Sequence, residues 1–418
     1  MPRKSAKCSA DREPVTLRPA ATAMALAVTL ALGSVALTPN AAATESSTVP
    51  GGSNYDLHNA RADMGGAVYV MTNDPDANEI LVFARERDGE LRAMPNATVS
   101  TGGSGGGDNA PVDPLGSQNS LVYSDHLNML FAVNAGDNTV AAFDTSGPGL
   151  KPRLVALVSS GGYLPVSVAV NEDLLYVLNA GGTGTVTTFA VGPDGQLSEV
   201  GSLDLGLANG TSIPFNNIFA PGQVGVDRLA RRLVVVNAGG QEVLVSDLDD
   251  DGIPTGALVS TPTTGIAPFA FAKTPYGSIL VAEAGSGSVS AFDPPVSGMP
   301  MTPTANSVST TQAASCWIVS NANGFAYVAN TGSDTISQYG YTRTGGLELI
   351  NAAAAMAAGA PTDMTLANHG AFLYSLDAGA GAISGFAVDP ENGELSPVET
   401  EGGLPAAAGL QGIAARDF

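Results

Sequence analysis

The chain has 418 residues, with 39 Asp or Glu against 17 Lys or Arg, and its formal net charge at pH 7 is −22. Such an acidic surface repels nucleic acid and anionic lipid, because proteins bind both mainly through Lys and Arg. The composition therefore argues against a nucleic-acid-binding protein. It favours solubility in an extracellular medium and would also attract cations such as Ca²⁺.

Residues 1–43 have the order of a secretory signal peptide. Five Lys or Arg residues precede an apolar, alanine-rich stretch over residues 20–37, and small residues follow at 40–43. This order is typical of a cleaved signal. A membrane anchor is the alternative interpretation, although Thr, Gly and Ser dilute the stretch. We expect cleavage, a secreted or extracytoplasmic protein, and no membrane span in the mature chain.

The two cysteines exclude an intramolecular disulfide in the mature chain. Cys8 would leave with the signal peptide, so Cys316 would stand alone. Cys316 lies among apolar residues, with no basic group nearby in sequence to lower its pKa, so we expect a buried and inert thiol.

Seven segments along the chain share one pattern, an apolar run that ends in a polar residue and a Gly-rich turn. "LLYVLNAGGTGTVTTF" from Leu174 is an example. The polar residues are Asn73, Asn134, Asn179, Asn237, Glu283, Asn330 and Asp377, at spacings of 61, 45, 58, 46, 47 and 47 residues. Asn and Gly suit the backbone angles of turns. A period near 45–50 residues indicates one structural unit per repeat.

Each unit predicts four antiparallel strands. A short strand such as "PVSVAVN" comes first, and the apolar strand, a third strand such as "TVTTFAV" and a last strand such as "QLSEVGSL" follow. Dipeptides such as Asp194-Gly195, between the third and fourth strands, favour tight hairpins. The second strand is apolar without alternation, as expected where neighbours cover both faces. Seven such units predict an all-β, seven-bladed β-propeller.

The two ends of the chain predict how the ring closes. The first unit begins near Gly65 with its second strand, and the segment "LQGIAA" at 410–415 resembles a first strand with nothing after it. The C-terminal strand would therefore complete the first blade and pair the exposed edges. We expect one domain over residues 62–418, preceded by a flexible lead-in over residues 44–61.

The Tyr-Val-x-Asn-x-Gly pattern, the Asp-Gly-x-Leu hairpins and this closure resemble the lactonase-like seven-bladed propellers. That family includes bacterial 6-phosphogluconolactonases and fungal carboxymuconate-cyclising enzymes, and it is related to the "YVTN" repeat proteins of cell surfaces. Tyr69-Val70, Tyr176-Val177 and Tyr327-Val328 stand at the family position. The resemblance covers the chain after the signal peptide and implies the fold, but a shared fold does not imply a shared site.

The resemblance also implies catalytic His, Arg and Glu side chains around the central channel, which this chain does not keep. The family's His position falls in residues 220–224, which read Ala-Pro-Gly-Gln-Val, and its Arg positions fall in 266–270 and 314–317, which contain no Arg. Its Glu position holds Ala284, and Glu283 precedes it. Because lactone chemistry needs groups that polarise a carbonyl and move a proton, we expect a ligand- or partner-binding scaffold.

Two other functions stay open at this point. The first is a divergent lactone hydrolase or muconate-type cycloisomerase, in which Glu283 or Asp363 replaces the missing catalytic groups. The second is a structural cell-surface repeat protein.

Two inserts, at residues 101–119 and 205–223, lengthen the connections between blades on the face that carries the Gly-rich turns. They form either a recognition surface for a small molecule or a protein, or tolerated surface insertions. Residues at the starts of the first strands would line the channel mouth: Asn119, Gln223, Trp317, Asp363 and Gln411. Trp317, the only Trp, is either a stacking platform for a ligand or part of the core.

The segment "DLDDDG" at 247–252 raises the question of a metal site. Asp247, Asp249 and Asp251 alternate as Ca²⁺ ligands do, and Gly252 permits a sharp turn. The same residues are favoured in an ordinary hairpin turn. Both interpretations stay open, and no other cofactor is expected.

Overall fold

The computed structural model describes residues 64–107, 110, 112–207, 220–227 and 231–418. The predicted signal peptide and lead-in, residues 1–61, lie outside the described residues. Within the described part of the chain, no helix has the length and apolar character that crossing a membrane requires.

The described residues form 29 strands in seven antiparallel sheets. Blade 1 contains β1 Met64–Met71, β2 Glu79–Glu86, β3 Leu91–Ala93, β4 Val99–Ser100 and, from the C-terminus, β29 Ile413–Asp417. Blade 2 contains β5 Leu121–Ser124, β6 Met129–Asn134, β7 Thr139–Asp144 and β8 Arg153–Ser159, and blade 3 contains β9 Pro165–Asn171, β10 Leu174–Asn179, β11 Thr185–Val191 and β12 Leu197–Asp204.

Blade 4 contains β13 Pro221–Asp227, β14 Arg232–Asn237, β15 Glu242–Leu248 and β16 Pro254–Pro262, and blade 5 contains β17 Pro268–Lys273, β18 Ile279–Glu283, β19 Ser288–Phe292 and β20 Pro303–Ser309. Blade 6 contains β21 Ser315–Ser320, β22 Phe325–Asn330, β23 Thr335–Tyr341 and β24 Leu347–Met356. Blade 7 contains β25 Pro361–Ala367, β26 Phe372–Asp377, β27 Ala382–Val388 and β28 Leu395–Glu401, with a short 3-10 turn at Asn368–Gly370.

The first strands of the blades contact one another in a closed ring, in the order β29, β5, β9, β13, β17, β21 and β25. The space they enclose is the central channel. The second strands are buried along nearly their whole length, because each is covered by the blades on both sides. These observations confirm the predicted seven-bladed propeller with four-stranded antiparallel blades.

The C-terminal strand closes the ring, as predicted. β29 pairs antiparallel with β1, with Val70 opposite Ile413 and Gly66 opposite Asp417. The strand begins at Ile413, three residues later than the predicted start. Gly412 has a φ of +99°, which an extended strand does not allow, so the chain turns there before it joins the sheet.

Tyrosines of the second strands join neighbouring blades. Tyr69 donates to the carbonyl of Leu150 in blade 2 (3.0 Å), and three further tyrosines donate to the carbonyl of a glycine in the tight turn between the third and fourth strands of the next blade. The pairs are Tyr176–Gly252 (2.7 Å), Tyr327–Gly393 (2.8 Å) and Tyr374–Gly89 (2.7 Å). The last pair connects blade 7 to blade 1. The Tyr and the Asp-Gly or Asn-Gly dipeptides recognised in the sequence are thus two halves of one contact between blades.

Candidate functional site

The five residues predicted to line the channel all lie in the innermost strands or directly before them. Gln223 lies in β13, Trp317 in β21 and Asp363 in β25, whereas Asn119 precedes β5 and Gln411 precedes β29. Four of them are buried, and Asn119 is half-buried. Their positions are at the inner edge of the blades, whereas their role in binding a ligand stays a prediction.

Residues 113–119, the end of the first insert, cross the central channel, and we call them the channel segment. Ser117 lies at its centre. The Ser117 hydroxyl donates to the carbonyl of Val166 in blade 3 (2.7 Å), and the Ser117 carbonyl accepts from Nε1 of Trp317 in blade 6 (2.8 Å). Because these two blades lie on opposite sides of the ring, a residue bonded to both must lie near the axis.

Side-chain amides join the channel segment to the neighbouring backbone in both directions. Gln411 accepts from the Leu115 N–H (3.0 Å) and donates to the Ser117 carbonyl (2.7 Å). Gln118 donates to the carbonyl of Ile318 and accepts from its N–H, both at 2.9 Å. Backbone polar groups inside a protein need such partners. These bonds tie the segment to the stretch before β29 and to β21.

The strand that follows the channel segment is shortened by the insertion. β5 has 4 residues, whereas β9, its counterpart in blade 3, has 7. Residues 117–119, which would begin the strand, lie in the channel instead. Strand propensity does not distinguish this segment from the start of a first strand, and the sequence therefore predicts Asn119 at the rim of the channel.

Trp317 packs in the core. Its ring is fully buried and meets Phe269 edge to face, with ring centroids 4.9 Å apart and an interplanar angle of 67°. Its only indole donor is bonded to Ser117. Of the two roles that the sequence left open, the geometry supports core packing in this conformation.

Asp113, at the start of the channel segment, and Asp363, in β25, are two channel carboxyl groups that interact electrostatically. Burial raises the pKa of Asp363 to about 8. Loss of solvation in the channel raises the pKa of Asp113 well above its usual value, and the nearby Asp363 raises it further. Oδ1 of Asp113 accepts from the Gly116 N–H (2.9 Å) and from Nε2 of Gln411 (3.0 Å). Carboxyl groups with raised pKa values in a channel are typical of functional sites, although structural carboxyls also show them.

Glu283, the other predicted catalytic candidate, is a buried anchor. Its Oε1 accepts from the Gly265 N–H (2.8 Å) and the Ser290 hydroxyl (2.6 Å), and its Oε2 accepts from Ser288 (2.7 Å) and Ser307 (2.9 Å). The side chain has no exposed surface. The carboxylate joins β18 to two other strands of blade 5 and to the connection from blade 4, which favours a structural role.

The recurrent polar position has this role in other blades as well. Oδ2 of Asp377 accepts from the Ala358 N–H (2.7 Å) and from Ser384 (2.5 Å), and burial raises the pKa of Asp377 to about 6. Oδ1 of Asn73 accepts from the Gly106 N–H (2.7 Å). The sequence pattern explains these residues by turn conformation. That explanation needs correction, because among the seven only Asn73 has a positive φ, and all seven are buried.

The three alternating aspartates do not converge on one point. Asp247 pairs with Nε of Arg232 (2.6 Å), and Oδ1 of Asp249 accepts from the N–H groups of Asp251 (3.0 Å) and Ile253 (2.8 Å). The geometry is that of a hairpin turn, the second interpretation of the motif. Among the described residues, three carboxylates come within 4.8 Å of one another only at the hairpin formed by Glu86, Asp88 and Glu90.

Comparisons with known proteins agree with this architecture. The family model "Lactonase, 7-bladed beta-propeller" matches residues 108–409. No curated protein gives a significant sequence match. A candidate 6-phosphogluconolactonase from Bacteroides fragilis has 14% identity and a TM-score of 0.66, over 85% of this chain and 99% of that one.

Two further solved structures are similar over most of their length. A protein from Lactobacillus plantarum has 20% identity and a TM-score of 0.61, over 85% of this chain and 100% of that one. The periplasmic gluconolactonase of Pseudomonas aeruginosa has 15% identity and a TM-score of 0.61, over 84% and 99%. At these identities the likeness shows the fold alone. The family match, which covers most of the chain, shows that this protein belongs to the lactonase family of seven-bladed β-propellers.

Proposed function

We propose that the protein is an extracytoplasmic binding scaffold that uses the loop-bearing face of the propeller and does not hydrolyse lactones. The observation that carries the proposal is the channel segment. The contacts described above give it amide, indole and backbone partners from blades 1, 3 and 6, and none of these partners is a His or an Arg. A lactone would need both an empty channel and groups that stabilise an oxyanion.

The loop-bearing face offers exposed apolar side chains on rigid backbone. Tyr163 is 71% exposed and Ile266 is 59% exposed, and they occupy equivalent connections, before the first strands of blades 3 and 5. Each carbonyl accepts a hydrogen bond from the Gly-rich turn of its own blade, from Gly181 (2.8 Å) and Gly285 (2.9 Å). These two side chains are the contacts that we propose for a partner protein on this face.

The proposed location rests on three observations of different kinds. Residues 1–43 have the order of a signal peptide, the chain is strongly acidic, and a solved relative of the same fold is described as periplasmic. Each supports a protein that acts outside the cytoplasm.

Binding through this face predicts a specific loss on mutation. The double substitution Tyr163→Ser and Ile266→Ser should abolish retention of partner proteins on the immobilised full-length chain. The matched control is the pair Val296→Ser and Met299→Ser, 58% and 59% exposed in the connection between β19 and β20 on the opposite face. Quantitative mass spectrometry of the retained proteins measures the effect. Equal losses in both double variants would contradict the proposal.

A divergent lactone hydrolase is the second candidate, and the pair of channel carboxyls favours it. A carboxyl with a pKa of about 8 is protonated at neutral pH, so Asp363 could serve as a general acid towards a leaving oxygen. Such a reaction would require a rearrangement that exposes Asp363, because its side chain is buried.

Lactone turnover separates the two candidates. We expect no hydrolysis of γ- and δ-lactones above the buffer rate by the wild-type protein, measured by proton release in weakly buffered solution. The control is Asp377→Asn, which removes a buried carboxyl outside the channel. Turnover that survives Asp377→Asn but is lost in Asp363→Asn would establish the hydrolase and overturn the scaffold.

A further inference from the structure

Three Asn-Gly dipeptides occur in the chain: Asn209-Gly210, Asn323-Gly324 and Asn392-Gly393. The first lies outside the described residues. The other two lie in turns, between β21 and β22 and between β27 and β28, and both asparagines are exposed. A glycine after asparagine has no Cβ atom to shield its backbone nitrogen, so the asparagine side chain can approach that nitrogen closely. The two turns therefore share the same local chemistry and differ in their hydrogen bonds.

The turn at Asn392 is fixed by bonds on both residues of the dipeptide. Oδ1 of Asn392 accepts from the Glu394 N–H (2.8 Å), and the Gly393 N–H donates to the carbonyl of Asp389 (2.8 Å). The Gly393 carbonyl accepts from the Tyr327 hydroxyl of blade 6 (2.8 Å). Because the side-chain amide and the glycine nitrogen are bonded to different groups, they meet only when the turn opens.

The turn at Asn323 lacks these two constraints. Within the described part of the chain, no group is bonded to the side-chain amide of Asn323. No described backbone carbonyl accepts from the Gly324 N–H, which interacts with the Tyr341 hydroxyl instead. The backbone N–H of Asn323 donates to Oδ1 of Asn321 (3.0 Å), which keeps the turn in place. The Asn323 amide can therefore rotate towards the glycine nitrogen while the strands around it stay paired.

We propose that Asn323 is a site of spontaneous deamidation in the folded protein, at which the backbone nitrogen of Gly324 attacks the side-chain amide. A bond forms between this nitrogen and Cγ of Asn323, and the N–H proton passes to solvent. The bond between Cγ and Nδ2 breaks, and the leaving nitrogen takes a proton from water and departs as ammonia. Water then opens the cyclic imide. Attack on Cγ gives aspartate, and attack on the main-chain carbonyl carbon gives isoaspartate, in which the backbone passes through Cγ.

The products change the turn that joins β21 to β22. Both add a carboxylate to a chain whose formal net charge is already −22, and isoaspartate also lengthens the backbone between the two strands by a methylene group. The reaction needs only water, so it does not depend on the proposed scaffold function. The converted fraction at Asn323 increases with the age of the folded protein.

Trypsin separates the dipeptides, because cleavage after Lys273, Arg343 and Arg416 leaves Asn323 in residues 274–343 and Asn392 in residues 344–416. The full-length protein is incubated in mildly alkaline buffer at physiological temperature. Tandem mass spectrometry of the two peptides then measures the conversion of amide to acid over time. We expect Asn323 to convert at least about tenfold faster than Asn392, because the bonds of the Asn392 turn must open first.

Two controls assign the difference to the fold and to the residue. In urea that unfolds the chain, the rates at Asn323 and Asn392 should become similar, because only the shared local chemistry remains. Asn323→Gln should abolish the rapid conversion in residues 274–343. Equal rates at the two asparagines in the folded protein would overturn the proposal. So would a difference that persists in urea, or rapid conversion of the same peptide in Asn323→Gln.

Discussion

Glu283→Ala is expected to lower the free energy of unfolding by about 4 kcal/mol. The substitution deprives one backbone N–H and three hydroxyls of their acceptor in a place that water does not reach, and it leaves a cavity at the end of β18. Urea unfolding followed by circular dichroism measures the effect. Glu283→Gln should lower the free energy of unfolding less than Glu283→Ala does, because the amide keeps the shape of the side chain. It should still lower it, because the N–H₂ group then lies opposite other donors.

The control for this prediction is Glu391→Ala, which removes an exposed side chain in the turn between β27 and β28. We expect a change within about 0.5 kcal/mol. Similar stability of Glu283→Ala and Glu391→Ala would refute the role of Glu283 as an anchor. Glu283 would then again be a candidate catalytic residue.

Gly222→Ala is expected to destabilise the protein by about 3 kcal/mol. Gly222 lies in β13, where a Cβ atom would stand 2.3 Å from the backbone carbonyl oxygen of Phe269 in blade 5 and 3.3 Å from that of Gly116 in the channel segment. A backbone carbonyl between two packed strands cannot rotate away as a flexible side chain can. The inner strands of blades 4 and 5 would have to separate.

Gly147→Ala is the matched control, because a Cβ atom at Gly147 meets nothing within 4 Å and Gly147 has no positive φ. It should leave the urea midpoint unchanged within error. The same urea series measures both variants. A Gly222→Ala variant as stable as Gly147→Ala would show that the strands around the channel separate easily, contrary to the packing described here.

The sequence determined the architecture of this protein, because the signals that encode it are local. The apolar second strands, the Asp-Gly and Asn-Gly turns and the regular spacing each depend on a few neighbouring residues, and they predicted seven four-stranded blades. The incomplete first unit and the unpaired strand at the C-terminus predicted the closure by β29. The predicted start of β29 was three residues too early, because the backbone angle of Gly412 depends on packing.

The sequence also identified residues around the channel, since first strands line the axis of any propeller. It did not distinguish residues that face an open channel from residues that hold a segment of the chain. Asn119 illustrates the limit, because the end of the channel segment and the start of a first strand look alike in sequence.

The tertiary structure alone decided what occupies the channel. Ser117 is bonded to Val166, Trp317 and Gln411, which lie 49, 200 and 294 residues away along the chain. Contacts at such separations leave no periodic pattern in the sequence, because each is made once and between elements that only the closed ring brings together. The same holds for the four donors around Glu283. Local patterns could therefore specify the ring, whereas the segment that fills it follows from how the ring closes.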